Sequence, residues 1–270
     1  MHSILFVALV LATSLTGVSA LPGPLRLANA FSLISNELRN TSLGNCTLAN
    51  ANLPLSYTKI VLPDPSSHLT LKYIAVGRGT QNYSCPSTDK FFRDKAAPTA
   101  IGAAATLFDT SCVASTSMTL LHELPAVAAR TPLGSLSFMA EMVSSTTNSS
   151  DLIIGEHYFD AAGEPFFTLK LGGDDDWMVG EKNASVSAPA RVYGPKPESK
   201  DVAWLRLVRK KGKGIQVSIL WTNITTIRYL LTEYEEVYRV VTFGGSAPST
   251  CAGLDDTVIV EYAAEYWFYG

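Results

Sequence analysis

Much of the chain alternates apolar and polar residues, the pattern of a β-strand that buries one face. The clearest case is segment 69–76, which runs into Gly77-Arg78-Gly79, a predicted turn. The same alternation predicts further strands at 104–109, 155–160, 165–171, 203–209, 215–222, 236–243 and 257–268. Turn residues between neighbouring segments predict two hairpins, one around the turn 160–165 and one joining 204–209 to 215–221.

Helical spacing of apolar residues is confined to two segments. Residues 25–39 form the better amphipathic pattern, while in residues 118–129 Pro125 limits a helix to about three turns. Many short strands with few helices are typical of an all-β domain. The sequence therefore predicts an antiparallel β-sandwich or barrel-like single domain over residues 21–270, with one or two short helices.

The N-terminus has the pattern of a secretory signal peptide. An apolar run from Ile4 to Ala12 ends in the small-residue sequence Val18-Ser19-Ala20, a typical cleavage site. A bilayer span needs roughly 20 apolar residues, and this run is shorter. We therefore expect residues 1–20 to be removed and the mature protein to be secreted, extracellular and free of the membrane.

Charge and cysteine content narrow the function classes. A net charge of −3 offers no basic face for nucleic acid, so no nucleic-acid partner is expected. The four cysteines, in an oxidising compartment, predict two disulfides with three possible pairings. Sequons for N-glycosylation, of which we expect a subset to be used, begin at Asn40, Asn45, Asn82, Asn148, Asn183 and Asn223.

Familiar catalytic motifs are incomplete in this sequence. Gly77-Arg78-Gly79 begins a dinucleotide-binding fingerprint, but Asn82 stands where the third glycine belongs. His122-Glu123 begins a zinc-protease motif, but Ala126 replaces its second histidine. Because no G-x-S-x-G sequence occurs either, we expect no cofactor, no metal and no NAD-dependent dehydrogenase.

One enzymatic alternative stays open, because the separation of two carboxylates is a property of the fold. This alternative is a secreted hydrolase with paired carboxylates, for which Glu123, Asp160 and Glu164 are the nearest candidates.

A candidate ligand site centres on His157. Strand alternation places Phe159 on the same face as His157, with Glu156 and Tyr158 on the other. If that face lines a cavity, His157 is its polar group and Trp204 a wall. The alternative is a hydrogen-bonded histidine of the core.

Six segments of the chain carry a resemblance to a known family: residues 71–85, 102–109, 155–160, 202–207, 237–251 and 260–269. They resemble the fungal secreted proteins of the DUF3455 family, a domain of unknown function whose members are often labelled malate dehydrogenase. The resemblance implies a secreted β-rich fold without an agreed activity. Cys85 and Cys251 each end such a segment, which favours pairing them and leaves Cys46 for Cys112.

The sequence and this resemblance together favour a non-enzymatic extracellular protein. We expect a binding or interaction module, effector-like in character. Its expected partners are a cell-wall polymer or other carbohydrate, a small ligand, or a protein on a host or cell surface.

Overall fold

The described part of the chain forms a closed antiparallel β-barrel. The structure, a computed structural model, describes residues 46–57, 61–85, 90–147, 151–171, 174–190, 200–210 and 235–270. Each strand pairs with the next along the chain, and the eighth pairs with the first. The strands are β1 (Leu71–Ser84), β2 (Thr99–Asp109), β3 (Ile153–Phe159), β4 (Pro165–Leu171), β5 (Asp174–Val186), β6 (Trp204–Arg209), β7 (Glu236–Gly244) and β8 (Thr257–Tyr269). The predicted mainly-β class is confirmed, and the architecture is a barrel.

Strand β1 is longer than the alternation predicts. The expected turn at Gly77-Arg78-Gly79 is wrong, since β1 continues to Ser84 with β2 on one side and β8 on the other. Glycine is needed here for close packing, because a Cβ on Gly77 would lie 2.5 Å from a ring carbon of Tyr266. The two glycines therefore let neighbouring parts of the barrel approach closely.

Alternation along the strands separates an inner from an outer apolar cluster. Tyr262, Tyr266 and Phe268 of β8 join side chains from the other strands in the inner cluster. The residue between the last two, Trp267, packs in the outer cluster with helical side chains such as Leu121. A closed barrel wall thus has one core within it and a second core on its outside.

Helices cover part of the outer face. They are α1 (Lys90–Arg93), α2 (Ser111–Thr116), α3 (Met118–Ala128) and α4 (Leu133–Thr147), with a 3₁₀ turn at Leu55–Tyr57. The predicted helix around Pro125 is confirmed as the 11-residue α3, which packs on β8, β1 and β7. Ser117 caps its N-terminus by accepting a hydrogen bond from the Leu120 amide.

One disulfide joins the end of β1 to the segment between β7 and β8, and the other joins helix α2 to the N-terminal part of the described chain. Cys85 pairs with Cys251, and Cys46 pairs with Cys112, which are the pairs expected from the family-like segments. Cys85 directly follows β1, so its bond fixes the segment between β7 and β8 at that end of the barrel.

Several sequence-based expectations lie outside the described residues: the signal peptide (1–20), the helix at 25–39 and the strand at 215–222. β5 has no counterpart among the predicted strands. Its acidic start hides the apolar alternation.

Candidate functional site

Polar side chains gather within the barrel towards the end where β1 finishes and β8 begins. This group, called here the inner polar cluster, shares burial and the electrostatic reach of Arg239. Its members are Gln81, Tyr83, His157, Arg239, Tyr262 and Tyr266. Buried polar groups are costly unless they are paired, so such a cluster needs an explanation.

The two tyrosines of β8 form the centre of the cluster. Residues 262 and 266 both point inward because strand positions of equal parity share a face. Their hydroxyls lie 2.8 Å apart in a hydrogen bond, and neither tyrosine is exposed. Gln81 of β1 lies beside the Tyr262 hydroxyl, and its Nε2 is buried without a hydrogen-bond partner among the described residues.

Arg239 of β7 is the positive charge of the cluster. It is 8% exposed, and its Nη2 donates to the carbonyl of Ala203 at 3.0 Å. Its guanidinium also lies near the Tyr266 hydroxyl, whose pKa it acts to lower. Its Nε is buried without a partner, and no salt bridge to a carboxylate occurs for it within the described ranges. A buried guanidinium is ordinarily paired with an anion, so this one is incompletely satisfied.

The groups around Arg239 carry no compensating negative charge. Burial raises the pKa of Tyr83, Tyr262 and Tyr266, although Arg239 acts in the opposite direction. All three hydroxyls are therefore neutral at physiological pH. Burial also lowers the pKa of His157 to about 4, so the imidazole is neutral too. The described side of the cluster thus holds one cation among neutral hydrogen-bonding groups.

His157 is fixed by stacking and by one backbone bond. Its ring stacks on Phe167 of β4, with centroids 4.2 Å apart, and its Nδ1 donates to the carbonyl of Phe166 at 2.9 Å. Because Nδ1 must carry the proton to donate, Nε2 is the acceptor of the neutral ring. His157 therefore contributes an acceptor to the interior.

A bulge in β7 shapes the wall beside Arg239. The register of β7 against β8 shifts between Val240 and Phe243. Within this bulge Val241 has φ 45°, a left-handed conformation that a β-branched residue rarely adopts. Thr242 then donates its hydroxyl to Val202 at 2.6 Å. Bulges and strained residues often occur beside functional sites, because they redirect neighbouring side chains.

The structure does not bring the two predicted ligand residues together. His157 lies within the barrel, whereas Trp204 is in the outer cluster with Trp267 and Tyr238. The reason is strand parity, since Leu207 of β6 points inward and the residue three positions earlier points outward. A role for His157 in ligand binding stays a prediction.

Two of the three carboxylates considered for a hydrolase have other partners. Asp160 caps the β3–β4 turn by accepting from the amides of Ala162 and Glu164, and the Glu164 carboxylate bonds Lys210. Glu123 lies on α3, a separate element on the outer face. The described residues also contain no group of His, Cys, Asp and Glu able to hold a metal ion.

Sequence reasoning missed Arg239 and Gln81. The signal that could have found them is the alternation of strand faces. Arg239 shares a strand face with the apolar Val237, and Gln81 shares one with Gly79, two residues earlier. A polar residue on an apolar strand face is a sign of an interior site, but it requires knowing which face is inside.

The family model for DUF3455, proteins of unknown function, matches residues 65–270. The chain belongs to this family. The DUF3455 match contains all eight strands and the whole inner polar cluster. No match to a curated protein or to a solved structure was found. Among the described helices of this DUF3455 member, none is long and apolar enough to cross a membrane.

Proposed function

We propose that this protein is a secreted binding protein that holds a small anionic molecule within its barrel. The observation that carries the proposal is the buried Arg239, whose Nε has no hydrogen-bond partner among the described residues and which lies among protonated tyrosines and a neutral histidine. The signal-peptide pattern and the two disulfides support secretion.

An anion complements the cluster in both charge and hydrogen bonding. A carboxylate accepts hydrogen bonds and is recognised well by a guanidinium, which presents donors in a planar fork. Within the described part of the chain, the Nε of Arg239 and the Nε2 of Gln81 are both donors without an acceptor. Tyrosine hydroxyls can donate as well, because their raised pKa keeps them protonated.

The remainder of the interior is apolar. Leu107, Phe167, Leu169 and Phe268 belong to the inner apolar cluster, which adjoins the polar one through Tyr266. An eight-stranded barrel has an interior that side chains fill or that holds one small ligand. The ligand class that fits best is a small organic acid with an apolar body, because both halves of the interior are then matched.

Native mass spectrometry of protein purified from culture medium tests the proposal. We expect a bound species that denaturation releases, together with a raised melting temperature when benzoate or hexanoate is added. Benzamide, which has no negative charge, should leave the melting temperature unchanged. The stabilisation follows from ligand binding to the folded state alone.

Two substitutions give matched arginine variants. Arg239→Met should abolish the response to carboxylates, whereas Arg130→Met, on the outer side beside Phe243, should retain it. The proposal fails if neither carboxylate raises the melting temperature and the purified chain carries no bound molecule. It also fails if both variants respond like the original protein.

A further inference from the structure

We infer that Asn183 is an N-glycan attachment site and that Asn82, the other sequon in the described residues, is left unmodified. The inference rests on the secretion part of the proposed function, because the modification takes place in the secretory pathway. Both sequons lie on strands, Asn82 in β1 and Asn183 in β5. The sequence motif alone does not separate them.

The backbone presents Asn183 away from the sheet ladder. β5 pairs with β6 through Lys182 and then through Ala184, so Asn183 is the extra residue of a bulge. Asn183 is exposed, and so is Ser185, which supplies the hydroxyl of the sequon. An attached oligosaccharide therefore leaves the strand pairing of the barrel intact.

An ion pair orients the Asn183 carboxamide. Its Oδ1 accepts a hydrogen bond of 2.7 Å from Nη1 of Arg206. Arg206 is itself held by both oxygens of the buried Glu236, at 3.1 Å and 2.5 Å. The oxygen of this exposed side chain is thus the atom that Arg206 holds, which leaves the amide nitrogen for the sugar. That nitrogen is the atom to which the sugar is attached.

Asn82 has the opposite environment. It is half-buried and paired on both sides, with Gly102 in β2 and Ile259 in β8. Its Oδ1 is buried without a hydrogen-bond partner in the described part of the chain. A glycan there would have to emerge from the middle of three hydrogen-bonded strands, which disfavours a modified folded product.

The reaction is a transfer from a lipid-linked oligosaccharide diphosphate donor. A bond forms between Nδ2 of Asn183 and the anomeric carbon of the first sugar. The bond from that carbon to the diphosphate oxygen breaks, and the lipid diphosphate leaves. The nitrogen loses one proton to the transferase, so the product is a neutral amide carrying the sugar.

Glycopeptide mapping of the full chain, secreted from a eukaryotic host, tests the inference. After treatment with an amidase that converts glycosylated Asn to Asp, we expect the mark at residue 183 and not at residue 82. Asn183→Gln should remove one glycan from the secreted protein, and Asn82→Gln should remove none. Ser185→Ala should also remove this glycan while keeping the contact between Asn183 and Arg206. Ser185→Thr, which keeps the sequon hydroxyl, should retain the glycan.

Each other outcome has a definite meaning. Secreted protein with an unmodified residue 183, or with a modified residue 82, overturns this inference and leaves the binding proposal standing. A chain retained in the cells with residues 1–20 still attached overturns secretion, and this inference with it. Ser185→Ala covers the case in which Asn183→Gln does not fold.

Discussion

Two arginines on neighbouring strands, Arg206 of β6 and Arg239 of β7, are nearly equally buried and have opposite surroundings. Arg206 lies on the outer face with its guanidinium on Glu236. Burial alone would raise the pKa of Glu236, but hydrogen bonds from Arg206 and Ser66 lower it below its usual value. Arg239 lies on the inner face among tyrosines and a neutral histidine, and none of the described residues accepts a hydrogen bond from its Nε.

This contrast separates a charge that stabilises the fold, that of Arg206, from a charge that could bind a ligand, that of Arg239. On the outer face the protein supplies both partners of the ion pair, so removal of either should weaken the fold. On the inner face the described residues show only the cation, and this difference is the basis of the proposed binding site. Function is therefore expected on the inner face and stability on the outer face.

Loss of a disulfide is expected to have the largest effect. In the chain-entropy model, separations of 166 and 66 residues correspond to about 5 kcal/mol for Cys85–Cys251 and about 4 kcal/mol for Cys46–Cys112. We expect paired Cys→Ala variants to show these losses in urea unfolding. Only loss of Cys85–Cys251 should accelerate hydrogen exchange of the amides near Gln81, because this bond lies at the polar end of the barrel. Equal exchange in the two variants would contradict this assignment.

Replacing each arginine by methionine tests the contrast directly. Arg206→Met leaves the Glu236 carboxylate buried without its cation, which should cost about 3 kcal/mol of unfolding free energy. Arg239→Met removes an incompletely satisfied cation, so ligand-free protein should change by less than about 1 kcal/mol. Urea titrations of both variants at neutral pH measure the difference. A larger loss for Arg239→Met would mean that its charge already has a partner.

The inner histidine should make stability depend on pH. Its pKa is lowered by burial from 6.5 to about 4, so the unfolded chain binds a proton at a higher pH than the folded chain does. The stability is fully present above pH 6.5 and is lost as the pH falls towards 4, by about 3 kcal/mol in total. His157→Asn should remove this component of the unfolding free energy. His68→Asn, whose histidine is 69% exposed, should keep it.

Two glycine substitutions test how tightly the barrel interior is packed. Gly77→Ala places a methyl group against the Tyr266 ring inside the barrel and should cost about 2 kcal/mol. In α4, the methyl group added by Gly134→Ala would meet no atom of another element within 4 Å. This substitution should raise the unfolding free energy by about 0.5 kcal/mol through helix propensity. Thermal unfolding of both variants provides the measurement. A tolerated Gly77→Ala would show that the ring can move aside, and hence that the inner packing is loose.

Local pattern was sufficient for part of the fold. Alternation identified β4 with its bounds and placed most of the other described strands to within a few residues. Alternation failed where the local residue types favour one structure and the neighbouring strands impose another. Gly77-Arg78-Gly79 has the composition of a turn, yet β1 continues there because β2 and β8 pair with it on both sides. The helix α4, rich in serine and threonine, gave no clear apolar period either.

By itself, the sequence determined the β class, the family, the cysteine set and the identity of the polar residues. Only the tertiary structure decided which of those residues face one another. Parity gives each strand two faces, but closure of the barrel determines which is inside. It placed His157 with Arg239 and put Trp204 on the other side of the wall. The physical reason is that these contacts depend on pairing between strands that are far apart in the sequence, and a local sequence pattern carries no information about that pairing.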